Sequence, residues 1–153
     1  MKKTQEEKNN SKKGCHEEST PTREKRSVLN ALLIEDNPLI QQIHSKYLQK
    51  LHYLVKIAST QQQALEYAFY QRYDLIITDL GLCDNRSEAI ITNLRQAPSV
   101  NPKTPLIVVT AYSGPALKSR CLRAGANEFI VKPLSYALLE VTLKKLIDPR
   151  FCL

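Results

Sequence analysis

From Val28 onward the chain alternates two textures: short unbroken apolar runs, and longer stretches in which apolar side chains recur every three or four residues. Five runs read as strands, at residues 28–34, 54–58, 74–78, 106–110 and 128–131. A helical pattern follows each. After the first strand, Asn37-Pro38 supplies an N-cap and a first-turn proline, and Ile40, Ile43, Tyr47, Leu48 and Leu51 form a stripe. Ser59 opens the second helix, with Gln62 completing a capping-box pattern and Ala64, Leu65, Ala68 and Phe69 on its apolar face. The third helix spans 87–96, with Ile90, Ile91 and Leu94 inward; Gly125 stops the fourth, at 115–124; the last, at 136–147, carries Leu139, Leu143 and Leu146. Apolar strands alternating with amphipathic helices predict an α/β fold: a doubly wound parallel sheet covered on both faces. In such sheets ligands bind beyond the carboxyl ends of the strands, near the switch point in strand order.

The polar residues at those ends are therefore the candidates. The first strand delivers Glu35-Asp36, the third Asp79, the fourth Thr110-Ala111 and the fifth Lys132-Pro133. Three carboxylates brought together raise one another's pKa and resist joint ionisation. A hard divalent cation removes the difficulty, because three negative charges balance Mg²⁺ plus the Lys132 ammonium. Mg²⁺ takes oxygen ligands and bridges carboxylates to phosphate oxygens. The set is suited to holding a metal and a phosphoryl group against a carboxylate.

In that order, each at its own strand end, these residues resemble the receiver (CheY-like) domain of two-component response regulators, over roughly residues 28–147. The resemblance implies a flavodoxin-like sheet of order 2-1-3-4-5 with five helices. It implies that Asp79 accepts a phosphoryl group from a histidine kinase or a histidine phosphotransfer protein. Mg²⁺ would be held by the Asp36 and Asp79 side chains, by Glu35 mainly through water, and by the Gly81 carbonyl. Lys132, Thr110 and the Ala111 N–H would contact the phosphoryl oxygens, and Phe129 stands at the family's rotameric aromatic position. Cys83 replaces a frequent proline and Ser87 a usual glycine, which touches the shape of the third strand–helix loop but no phosphoryl-transfer residue. The resemblance implies a phosphoprotein switch rather than an enzyme acting on other molecules. A phosphate-independent pseudo-receiver is the alternative, against which the intact acid pair, Thr110 and Lys132 argue. An aspartate-nucleophile phosphatase would need a second aspartate where Gly81 stands, and a flavodoxin-type carrier would not place Glu35-Asp36 where phosphate must sit.

Composition narrows the setting. The net charge is +7, from 22 basic and 15 acidic residues over 153, but it is spread, and no basic stripe with interleaved aromatics suggests nucleic-acid binding. Residues 1–27 read as a disordered basic tail, too polar to offset their ordering entropy. Cys15, Cys83, Cys121 and Cys152 are far apart, without zinc-ligand spacing. There is no signal peptide and no membrane-spanning run, so a cytoplasmic location is expected. His16, His44 and His52 read as neutral positions rather than phosphodonors. The short tail at 148–153 leaves no room for an output module, so a stand-alone receiver is expected to signal through its surface. That surface is the fourth helix, fifth strand and last helix, with Lys118 and Lys144 or Lys145 for an acidic partner, or for homodimerisation.

Overall fold

The computed structural model describes residues 28–82 and 88–147. The expected tails at 1–27 and 148–153, and the loop positions Cys83 and Ser87, lie outside the described residues. Five strands alternate with five helices: β1 (Leu29–Ile34), α1 (Pro38–Lys50), β2 (Tyr53–Ala58), α2 (Gln61–Tyr70), β3 (Leu75–Asp79), α3 (Ala89–Arg95), β4 (Leu106–Thr110), α4 (Pro115–Ala124), β5 (Glu128–Val131) and α5 (Tyr136–Ile147). A short 3₁₀ turn, Leu80–Leu82, follows β3. All pairings are parallel, in the order β2-β1-β3-β4-β5, as the sequence pattern and the resemblance require.

Side chains alternate across a strand, and the core divides accordingly. Ala31, Leu33, Ile77, Ile107, Val109 and Ile130 face α1 and α5, where they meet Leu48, Leu139 and Leu143. Leu32, Ile34, Ile76, Val108 and Phe129 face α2, α3 and α4, where they meet Ala64, Ala68, Ile90, Ile91, Leu94 and Cys121. β3 and β4 are buried along their whole length, which explains why they read as unbroken apolar runs. The order reverses between β1 and β3, so a crevice opens beyond their carboxyl ends.

Several boundaries differ from the sequence reading; β1 begins one residue later than expected and β2 one residue earlier. The α2 cap is Thr60, not Ser59: the Gln63 N–H donates to Thr60 Oγ1, and the Ser59 N–H donates to Gln63 Oε1. Phe69 is exposed rather than inward; Ala64 and Ala68, with Leu65 and Tyr67 partly buried beside them, fill the α2 seam. β3 runs one residue further than expected, and its last residue is Asp79. α3 begins at Ala89 without a side-chain cap.

Candidate phosphoacceptor site

Four of the strand-end groups meet in the crevice. Carboxylate oxygens of Glu35, Asp36 and Asp79 lie within 4.8 Å of one another. Lys132 Nζ donates to Asp79 Oδ2 at 2.6 Å and to Glu35 Oε2 at 3.3 Å. Lys132 reaches them from the end of β5, where its N–H donates to the Thr110 carbonyl. The other Asp79 oxygen, Oδ1, accepts the Gly81 N–H at 2.9 Å. A Cβ at Gly81 would stand in ordinary contact with both Asp79 oxygens, at 3.4 and 3.5 Å.

The electrostatics follow from burial. Glu35 is 1% exposed, and its pKa is raised above the ordinary 4.5, first by burial and further by the Asp79 charge. The Asn37 N–H, donating to Glu35 Oε1, and the Lys132 ammonium oppose that shift. Mutual repulsion was the expected cause; desolvation turns out to be the larger one. Burial also pulls Lys132 down, but the hydrogen bond and charge of Asp79, then those of Glu35, outweigh it and hold Lys132 above 10.5. The ammonium is therefore charged at neutral pH. Three hard oxygen donors beside one fixed cation fit a divalent ion such as Mg²⁺, which shares charge with Lys132 and favours carboxylate oxygens.

The remaining expected residues are placed nearby but are not joined to this set. Thr110 ends β4 fully buried, with its Oγ1 accepting the Tyr112 N–H at 3.3 Å. Ala111 is exposed just beyond it. Phe129 is 7% exposed and packed in the α2–α3–α4 core; it pairs with Val108 in register and so lies on the same sheet face as Thr110. His44 is buried on α1, its pKa lowered by desolvation and then by the Lys132 charge, which keeps it neutral. His52 makes the turn after α1 at φ 67°. Sequence reasoning missed Gln41, whose amide reaches the Glu35 carbonyl; a lone glutamine on a helix carries no signal of such a contact.

A doubly wound sheet with acids at its switch point and a lysine bound to two of them defines a class of α/β domain with a charged site beyond its strand ends. The family comparison is specific within that class: residues 31–144 match the response regulator receiver domain, and the chain belongs to that family. Among curated proteins it is similar to the transcriptional regulatory protein ZraR of Escherichia coli K12, 29% identical over 117 residues, covering 76% of this chain and 26% of ZraR. It is also similar to the KDP operon transcriptional regulatory protein KdpE of the same organism, 35% identical, covering 76% of this chain and 50% of KdpE. The chain thus spans between a quarter and a half of these relatives. Among solved structures it is similar to the receiver domain of sensor histidine kinase PA1611 from Pseudomonas aeruginosa PAO1. The two are 31% identical with a TM-score of 0.67, covering 78% of this chain and 97% of that one; that structure holds magnesium in its active site cleft.

Proposed function

We propose that this receiver accepts a phosphoryl group on Asp79 from the phosphohistidine of a histidine kinase or phosphotransfer protein. The observation that carries the reading is the Lys132 ammonium, 2.6 Å from Asp79 Oδ2 beside the acidic trio. In the transfer, the P–N bond of the donor breaks with its electron pair returning to the imidazole, and a P–O bond forms to an Asp79 oxygen. Phosphoryl transfer needs positioning and charge neutralisation more than covalent help. Lys132 lies against Asp79 before transfer and then pairs with a phosphoryl oxygen. Glu35, Asp36, Asp79 and the Gly81 carbonyl would hold Mg²⁺, which supplies positive charge to the phosphoryl oxygens. Water later hydrolyses the acyl phosphate. Gly81 has no side chain to direct that water, and Tyr112, two residues after Thr110, is exposed.

The readout proceeds from Thr110. A phosphoryl oxygen draws its hydroxyl from the Tyr112 N–H, and Phe129, on the same face, repacks into the space released. The signal leaves through α4, β5 and α5 to a protein partner. These elements expose Leu122, Val131, Leu138 and Val141, and Lys118, Lys144 and Lys145 beside them. Lys144 is partly engaged with Glu140 at 3.5 Å, so the apolar side chains matter more to docking than expected from charge alone. Among the described residues no helix is long and apolar enough to cross a membrane.

The test uses phosphoramidate, the smallest P–N donor. With Mg²⁺ the protein gains the mass of one phosphoryl group; with EDTA it does not. A gain of equal extent in EDTA refutes the metal-assisted reading.

A further inference from the structure

Gln41 sits in the first turns of α1, and nothing in its residue type announces a role. Its Nε2 donates to the Glu35 backbone carbonyl at 2.6 Å and to Ser59 Oγ at 3.1 Å. The Glu35 carbonyl belongs to the same planar peptide unit as the Asp36 nitrogen, so a bond this short sets the plane from which the Asp36 side chain departs. Asp36 depends on that plane. It is exposed, and among the described residues no N–H or ammonium donor reaches its carboxylate, since Lys132 is bound to Glu35 and Asp79. Glu35, by contrast, is fixed at both ends: its own N–H donates to the Ala58 carbonyl, and its Oε1 accepts the Asn37 N–H.

The contact reaches beyond one residue. Ser59, the second acceptor of Gln41, donates its N–H to Gln63 Oε1 in the α2 cap. Gln41 also donates its own N–H to the carbonyl of Asn37, the α1 cap. The side-chain amide thus ties the Glu35 carbonyl to Ser59, just before the α2 cap, while the Gln41 backbone N–H holds the α1 cap.

We propose that Gln41 is a positioning residue for the metal: through the Glu35 carbonyl it aims the Asp36 carboxylate at the cation that Glu35, Asp36 and Asp79 surround. This rests on the metal reading given above. It differs from a plain structural tie between α1 and the β2–α2 connection, which would affect stability and leave metal affinity alone.

The experiment is a Mg²⁺ titration by calorimetry on wild type, Gln41→Met, Asp36→Asn and the double variant, with the apo melting temperature of each. Gln41→Met keeps the length of the side chain and removes its donors. We expect it to weaken Mg²⁺ binding by between about twofold and tenfold, the range of one hydrogen bond. In the Asp36→Asn background the same change should have no further effect, because the group being aimed is gone. Ser59→Ala, which spares the Glu35 contact, should leave Mg²⁺ affinity within about twofold of wild type. The proposal is overturned if Gln41→Met binds Mg²⁺ as wild type does while melting lower, or if it weakens binding equally in both backgrounds. Wild-type affinity in Asp36→Asn would instead overturn the metal reading itself.

Discussion

At the amino-terminal edge of the sheet, the side chains of Arg95, Asn101 and Asn127 are paired off, and the buried Tyr73 hydroxyl alone among the groups described there has no partner. Arg95 donates to the carbonyls of Gly125, Asn101 and Thr104 and to Asn127 Oδ1. Asn101, 1% exposed, accepts the Tyr73 N–H and the Thr104 hydroxyl, and its amide donates to the Ala68 and Gln71 carbonyls. At the carboxyl-terminal edge, two of three clustered acids share one lysine, and burial raises the pKa of the most deeply placed. Both edges gather polar side chains. One satisfies most of them internally and locks the strand entries; the other leaves negative charge over, ready for a cation. A buried polar network stabilises when complete and is a place for chemistry when it is not.

Breaking the closed edge gives the largest loss of stability. Asn101→Ala strands the Tyr73 N–H and the Gln71 carbonyl and removes one of two donors to the Ala68 carbonyl, and should cost about 3 kcal/mol. Thermal melting is expected to fall by roughly 10 °C, with Mg²⁺ affinity unchanged. A drop in melting temperature under a few degrees would mean that water satisfies these groups.

At the open edge, Lys132→Met leaves Glu35 and Asp79 without their shared cation. The pair is part-buried, so the apo protein should lose about 2 kcal/mol, between the values for exposed and buried pairs. Urea unfolding measures this. The Lys132 contribution is complete at neutral pH and is lost only as pH rises above 10.5.

Glu35→Gln has the opposite sign. Because the folded-state pKa of Glu35 lies above 4.5, the stability tied to its neutral form is fully present below pH 4.5 and is lost as pH rises through the folded value. The variant stays neutral throughout. It should be more stable than apo wild type at pH 7 and equal to it below pH 4.5. Melting curves across pH check the sign; a variant less stable at pH 7 would show that the Asn37 and Lys132 contacts outweigh burial. Saturating Mg²⁺ should reverse the order.

Smallest in energy, though large in consequence, is Thr110→Ala. It should still be phosphorylated, yet fail to transmit the change to Phe129, read as the loss of the phosphorylation-induced shifts of the Phe129 ring by NMR.

The two edges also differed in how far the sequence revealed them. The open edge was legible because its residues are chemically unusual at strand ends: Glu35-Asp36, Asp79 and Lys132 stand out against apolar runs. β4, β5, α4 and α5 were legible because their apolar periods end in punctuation such as Gly125. The closed edge was not, since Arg95, Asn101 and Asn127 look like ordinary loop and helix polar residues until the fold brings them together over separations of up to 33 residues. Gln41 was missed for the same reason. The α2 cap was misplaced by one residue because Ser59 and Thr60 are both good caps, and only the geometry of Gln63 chooses between them.

The central claim is that the open edge exists to place a phosphoryl group on Asp79. Wild type and Asp79→Asn are incubated with acetyl phosphate and Mg²⁺, and their intact masses are measured. The account predicts a gain of one phosphoryl group in wild type and none in Asp79→Asn; the same gain in both would contradict it.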